Sequence, residues 1–246
     1  MRRYGLIGYP LSHSFSKKFF SDKFESEGLS NVSYENFAIP SIAEFPHLLE
    51  NPCIYGLNVT IPYKEQVTSF LDWKDEVVEK TGACNCIRID QGKLRGFNTD
   101  VAGFEQSLKK NLQPHHKKAL VLGTGGAAKA ISYVLKQLSI EYLVFSRSKP
   151  ANLTGALSYE ELSADLLASH LLIINTTPLG MYPNVDDCPP IDYEKLTPDH
   201  YLFDVIYNPG KTRFLQRGEE KGAIIQNGLE MLIIQAEESW RIWTDI

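Results

Sequence analysis

The chain has 246 residues, 43% of them hydrophobic, and its 25 Lys and Arg stand against 30 Asp and Glu for a formal net charge of −5. That is the balance of an ordinary soluble globule, long enough for two modest domains or one large one, and it excludes a disordered chain. The mild negative charge, with no basic stripe interleaved with aromatics, argues against a nucleic-acid surface, and no apolar run approaches the roughly 20 residues of a membrane span. The N-terminal stretch has no apolar run with a small-residue cleavage site, so a cytoplasmic location is expected. Cys53, Cys84, Cys86 and Cys188 form no C-x-x-C pair. They read as reduced packing residues, and no metal is expected.

In chain order the elements alternate. Arg3 to Tyr9 reads as a strand, Ser16 to Glu27 as a helix with Phe19, Phe20 and Phe24 on or near one face, and Ser33 to Ala38 and Tyr55 to Val59 as further strands. Pro62, where a missing N–H costs little, precedes a helical stretch from Tyr63 to Leu71. Asn85 to Asp90 and Lys93 to Phe97 flank Gln91-Gly92 as a hairpin, and the first domain ends near there. A helix from Val101 to Asn111 and a solvated turn at His115-His116 lead onward, with the interdomain connection along that helix. Pro150, Asn152 and Gly155 argue against a full crossover helix after Arg147, although Tyr159 to Ser169 suits a late one. Leu171 to Asn175 and Leu202 to Val205 are later strands, and a helix from Gly228 to Trp243 closes the chain. The class is α/β, with a compact doubly wound sheet in the second half.

The most informative stretch runs from Ala119 to Lys129, where an apolar strand passes through Gly123-Thr124-Gly125-Gly126-Ala127 into a helix. Gly123 allows a tight turn, Gly125 lets a pyrophosphate approach the backbone, and Ala128 lets the helix pack closely on the strand. The helix N-terminus adds unpaired N–H groups and a partial positive charge for phosphate. Glycines also occur in such units for purely structural reasons. The next strand, Tyr142 to Phe145, ends in Ser146-Arg147-Ser148-Lys149, where an NAD site would carry an acid for the ribose hydroxyls. A guanidinium flanked by hydroxyls suits a 2′-phosphate instead, so the reading is NADP over NAD, the alternative being a solvated basic strand end.

Four further segments, taken with this unit, resemble the shikimate dehydrogenase family over nearly the whole chain. Gly8-Tyr9-Pro10-Leu11-Ser12-His13-Ser14-Phe15-Ser16 is like the family's G-x-P-x-x-H-S-x-S, and Asn58-Val59-Thr60-Ile61-Pro62-Tyr63-Lys64 matches N-V-T-x-P-x-K. Gly82-Ala83-Cys84-Asn85-Cys86 parallels G-A-x-N-T, and Gly96-Phe97-Asn98-Thr99-Asp100 matches G-x-N-T-D. The segments from Asn175 to Met181, Asp204 to Pro209 and Gly228 to Gln235 continue the match.

The resemblance implies a catalytic pair, Lys64 and Asp100, and a substrate held between two domains by Ser14, Ser16, Asn58, Thr60, Asn85, Tyr207 and Gln235. Beside the glycine turn and Ser146 to Lys149, it places Thr176, Val205 and Gly228 on the nicotinamide side. It further implies a discontinuous N-terminal α/β substrate domain, 1–101 with 227–246, and a Rossmann-like NADP domain, 102–226. Lys17, Phe19 and Phe20 depart from the family's Pro and His-Asn pair after the second serine, and Cys86 replaces its Thr, leaving a weak thiol for a hydroxyl beside Asn85.

The chemistry is consistent with these residues without the family name. Reducing a ketone by hydride transfer builds negative charge on its oxygen, and a lysine ammonium both stabilises that charge and donates a proton. Singly, each residue has a plainer role: Lys64 as a solvated lysine, Asp100, Ser14 and Ser16 as helix caps, and Asn58, Thr60 and Asn85 as turn residues. The plainer roles predict no shared order. The function expected is reversible NADPH-dependent reduction of 3-dehydroshikimate to shikimate in aromatic amino-acid biosynthesis, by a monomer or homodimer with no nucleic-acid or membrane partner. The alternatives are a quinate/shikimate dehydrogenase using NAD and a regulatory module that binds ligand without turnover.

Overall fold

The computed structural model describes residues 1–11, 15–147 and 155–245. They divide into two compact units, Met1–Thr99 with Gln235–Ile246, and Asp100–Ile234. Ser14, Ser148 and Lys149 of the sequence reading lie outside the described residues.

The first unit contains β1 (Arg2–Gly8), α1 (Phe15–Ser26), β2 (Val32–Ala38), α2 (Phe45–Leu48), β3 (Ile54–Val59), β4 (Trp73–Lys74), α3 (Glu76–Thr81), β5 (Cys86–Asp90) and β6 (Lys93–Phe97). Among the described residues its strands form one sheet in the order β2-β1-β3-β5-β6-β4. Strands β1, β2 and β3 run parallel, and the β5–β6 hairpin joins antiparallel to β3. Strand alternation sends Ile7, Leu57 and Val59 into a core with Phe45, Val67 and Ile87 on one face. Tyr4 and Leu6 pack with Phe20, Phe24, Tyr34 and Trp243 on the other. Asn58, between Leu57 and Val59, points by the same alternation away from the first of these cores and is buried.

The second unit contains α4 (Asp100–Lys109), β7 (Lys118–Leu122), α5 (Gly126–Gln137), β8 (Glu141–Ser146), β9 (Leu157–Ser158), α6 (Ala164–Ser169), β10 (Leu172–Asn175), β11 (Tyr201–Asp204), α7 (Arg213–Glu219) and β12 (Ile224–Gln226). The last helix, α8 (Leu229–Thr244), begins in this unit and ends in the first. The strands lie in the order β12-β11-β10-β7-β8-β9, all pairs parallel, which is the doubly wound Rossmann arrangement. The order reverses between β7 and β10, so the loops after these two strands flank the crevice where such sheets take their ligands. Apolar side chains cover both faces: Val121, Ile131, Ile174 and Phe203 on one, Leu122, Phe145, Ile173 and Phe214 on the other.

Three local expectations change. The stretch from Tyr63 to Leu71 forms only a 3-10 helix over Gln66–Phe70, because the Thr68 and Ser69 hydroxyls donate back to Glu65 O (2.7 Å) and Gln66 O (2.9 Å) and tighten the turn. The expected helix from Tyr159 to Ser169 is split, since Ser163 accepts from Leu166 N and starts α6 afresh. His116 is not solvated but 1% exposed, its Nδ1 accepting from Gln113 N at 2.9 Å and its Nε2 meeting Asp199 O at 3.1 Å. The sequence reading also passed over α7, which Thr212 caps, and β12 beyond it.

Candidate active site

In the first unit, side chains from β2, β3, α8 and the ends of β5 and β6 meet in one buried hydrogen-bonded cluster. The Tyr34 hydroxyl donates to Asn58 Oδ1 at 2.8 Å, and Asn58 Nδ2 donates to Ser239 Oγ at 2.8 Å and to Asn85 O at 3.3 Å. Thr99 and Asn85 meet in three contacts, with Thr99 N donating to Asn85 Oδ1 at 2.7 Å, Asn85 Nδ2 donating to Thr99 Oγ1 at 3.0 Å, and Thr99 Oγ1 standing 3.2 Å from Asn85 Oδ1. Gln235 Oε1 lies at long hydrogen-bond range from both, 3.5 Å from Asn85 Nδ2 and 3.4 Å from Thr99 Oγ1. Ser16, on the first turn of α1, is buried beside the Tyr34 phenol, whose pKa burial pushes well up while the Ser16 hydroxyl works against it. Buried amides and hydroxyls are stable only when partnered in this way.

Lys64 follows β3 on a segment anchored at both sides: Thr60 N donates to Ile7 O at 2.9 Å, and Cys84 N donates to Lys64 O at 2.7 Å. The adjoining Tyr63 is pinned through its hydroxyl to Ile39 O at 2.6 Å. Thr60 and Lys64 are half-buried. Burial pushes the Cys84 thiol up to about 12, and the neighbouring Lys64 charge works against it. The Cys86 thiol, also wholly buried, is pushed well up by burial, with the Ser239 hydroxyl beside it working the other way. Both cysteines are therefore protonated packing groups.

In the second unit, Gly123 leaves β7 with φ +117°, and a Cβ built there would stand 2.4 Å from Thr176 Oγ1. Thr176 in turn donates through both its amide and its hydroxyl to Leu122 O, each at 2.8 Å, which closes the loop after β10 onto the end of β7. Gly125 caps α5 with no side-chain bond, and Thr124, Gly126 and Ala127 around it are half-buried. Space beside the Gly125 Cα is open to 4 Å. One strand over, Ser146 ends β8 half-buried and Arg147 is exposed. Val205 N donates to Asn175 O at 3.0 Å, and a Cβ on Gly228 would come within 2.1 Å of Val205 O, so only glycine permits this approach. Asp100 opens α4 and is buried, and Tyr207 is half-buried in the loop after β11.

These features fit a dinucleotide. An uncapped helix N-terminus behind an unobstructed glycine suits a pyrophosphate, and an exposed guanidinium at the next strand end suits a ribose phosphate. Gly123 to Ala127 would hold the phosphates, Ser146 and Arg147 the 2′-phosphate, and Thr176, Val205 and Gly228 the nicotinamide end.

A family model described as the shikimate dehydrogenase substrate binding domain matches residues 6–87. A shikimate dehydrogenase (NADP(+)) of Clostridium beijerinckii is 39% identical, over 100% of this chain and 93% of its own length. Its counterpart in Carboxydothermus hydrogenoformans is 37% identical, over 98% of this chain and 91% of its own. The chain belongs to the shikimate dehydrogenase family. Its structure superposes with a TM-score of 0.88 on shikimate 5-dehydrogenase from Thermus thermophilus in complex with NADP(H) and shikimate, at 32% identity over 100% of this chain and 94% of that one.

Within this shikimate dehydrogenase fold, Ser16, Asn58, Asn85 and Gln235 come together in the first unit, and the cradle residues together with Thr176 in the second. Sequence reasoning passed over Tyr34, Thr99 and Ser239. Thr99 stood inside the G-F-N-T-D motif, and Ser239 lies one helical turn after Gln235, so both had a signal in spacing. Tyr34 had none. Asp204, the buried acid that organises the loops after β10 and β11, stood at the head of a quoted segment without being singled out. Among the described residues no helix is long and apolar enough to cross a membrane.

Proposed function

We propose that this chain catalyses the reversible NADPH-dependent reduction of 3-dehydroshikimate to shikimate, a step of aromatic amino-acid biosynthesis. The observation that carries the reading is the set of buried, mutually bonded amides and hydroxyls at one end of the first unit's sheet, in a chain of this family. A polyhydroxylated acid demands such a set, because each of its hydroxyls left unpaired on burial costs affinity.

When bound, the nicotinamide supplies the hydride for the carbonyl carbon. Lys64 donates a proton to the carbonyl oxygen as negative charge builds there, and in the oxidation direction its neutral amine takes the proton back. Asp100 completes the catalytic pair. Ser14, Ser16, Thr60, Asn85, Tyr207 and Gln235 hold the carboxylate and hydroxyls, with Asn58 orienting its neighbours. Arg147, with Ser146, Ser148 and Lys149, selects the 2′-phosphate of NADP. The enzyme works on small molecules alone in the cytoplasm, as monomer or homodimer.

The test is the initial rate of cofactor reduction at 340 nm with shikimate and with quinate, each against NADP and NAD. Turnover with shikimate and NADP well above the other three pairs is expected. Comparable quinate or NAD rates replace the reading with a broader dehydrogenase, and binding of shikimate without turnover replaces it with a regulatory module.

A further inference from the structure

We propose that Ser239 is a positioning residue that fixes how the Asn85 and Gln235 carboxamides are presented, at the end of a one-way run of hydrogen-bond donation that starts at Tyr34. The proposal rests on the shikimate reading above.

Tyr34 gives its only proton to Asn58 Oδ1 at 2.8 Å, which settles the orientation of the Asn58 amide and turns its Nδ2 toward Ser239, 2.8 Å away. Ser239 has one proton as well, and it goes to Gln235 O, one turn back along α8, at 2.9 Å. Its lone pairs are left to accept from Asn58 and from the Thr99 hydroxyl, which lies 3.2 Å away. With its proton so directed, Thr99 Oγ1 accepts from Asn85 Nδ2 at 3.0 Å while its amide donates to Asn85 Oδ1. Asn85 Oδ1 and Nδ2 thus each meet Thr99, and Gln235 Oε1 lies 3.4 Å from the Thr99 hydroxyl and 3.5 Å from Asn85 Nδ2, while the Ser239 hydroxyl bonds the Gln235 backbone.

Ser239 is 0% exposed, so it has no access to a ligand and acts only through its neighbours. Removing its hydroxyl leaves Asn58 Nδ2 short of one acceptor and sends the Thr99 proton to its other acceptors, Asn85 Oδ1 at 3.2 Å and Gln235 Oε1 at 3.4 Å. In a dry cluster those groups regain partners by turning toward Asn85 and Gln235, which withdraws the same atoms from substrate.

The experiment measures steady-state kinetics of the full-length enzyme carrying Ser239→Ala, Tyr34→Phe, or both, with thermal unfolding to verify folding and calorimetric titration of shikimate. Each single substitution is expected to raise KM for shikimate about tenfold, with kcat and KM for NADP within about twofold of wild type. The double substitution is expected to add no more than about twofold to the worse single, because both act through Asn58. Should Ser239→Ala not fold, Ser239→Cys, which keeps a weak donor and acceptor, replaces it and is expected to raise KM by a smaller factor. An unchanged KM in a folded Ser239 variant, a fall in kcat alone, or a double effect equal to the product of the singles overturns the role. A wild-type enzyme that neither binds nor oxidises shikimate overturns the function and this role together, whereas an active wild type with unmoved variants overturns this role alone.

Discussion

The Asp204 carboxylate accepts a 2.6 Å hydrogen bond from the Thr212 hydroxyl, and Asp204 is wholly buried. Its other oxygen accepts from Asn175 Nδ2 at 3.1 Å and from Ile206 N at 3.0 Å. One acid thus ties the end of β10, the loop after β11 and the cap of α7, which are the segments that carry Thr176, Val205 and Tyr207.

That position sets a pH dependence. Burial raises Asp204 from 3.8 to about 6, with the bonds from Thr212, Ile206 and Asn175 opposing it. Between about pH 4 and 6 the folded chain therefore holds a proton that the unfolded chain has released, and stability falls as pH rises through that window. The loss from this group amounts to about 3 kcal/mol and is complete above it. Asp204→Asn cannot titrate, so the stability of wild type minus variant, measured by denaturant unfolding from pH 4 to 7, is expected to decline by about that amount. A difference that stays constant with pH refutes the assignment.

What the sequence made legible was what depends on local order. The Rossmann unit was readable because glycine spacing, an apolar strand and a following helix are consecutive, and the polar cluster was half-readable because Asn58, Asn85 and Gln235 lie in motifs. Its other half was not, since a tyrosine on β2 becomes a partner of Asn58 only through the parallel stacking of β2, β1 and β3. His116 looked like a solvated turn residue for the same reason: its partner, Asp199 O, is 83 residues away. The short 3-10 segment after Pro62 was misread because apolar spacing does not register hydroxyls that bond back to the chain.

Two of the cradle glycines, Gly123 and Gly125, should respond differently to alanine. At Gly123 a methyl meets Thr176 Oγ1 at 2.4 Å in a backbone with φ +117°, so Gly123→Ala is expected to cost about 1–3 kcal/mol and to lower Tm by several degrees. Gly125 has φ −75° and nothing within 4 Å, so Gly125→Ala leaves Tm unchanged yet places a methyl where phosphate approaches, raising KM for NADP. Equal Tm losses in the two variants contradict this division.

Arg147 is exposed at the end of β8, so its removal leaves the fold intact. A charge-assisted bond to a phosphate is worth about 1.5–3 kcal/mol, and Arg147→Ala is therefore expected to raise KM for NADP about 10- to 100-fold while KM for NAD stays within about twofold. The measurement is the ratio of kcat/KM for the two cofactors. If both fall together, the guanidinium supports the loop and does not read the 2′-phosphate.

The proposed chemistry turns on Lys64. Its backbone is fixed by Cys84 N, so replacing the side chain leaves the segment anchored. Lys64→Ala is expected to lower kcat about 10²- to 10⁴-fold, with a smaller change in the affinity for NADP. Lys64→Arg separates the two roles assigned to the ammonium, because a guanidinium keeps the positive charge but does not release a proton at any working pH. If proton donation is the larger contribution, Lys64→Arg is nearly as slow as Lys64→Ala. If charge alone stabilises the developing alkoxide, Lys64→Arg recovers most of kcat, and an unchanged kcat in Lys64→Ala removes the lysine from the mechanism altogether.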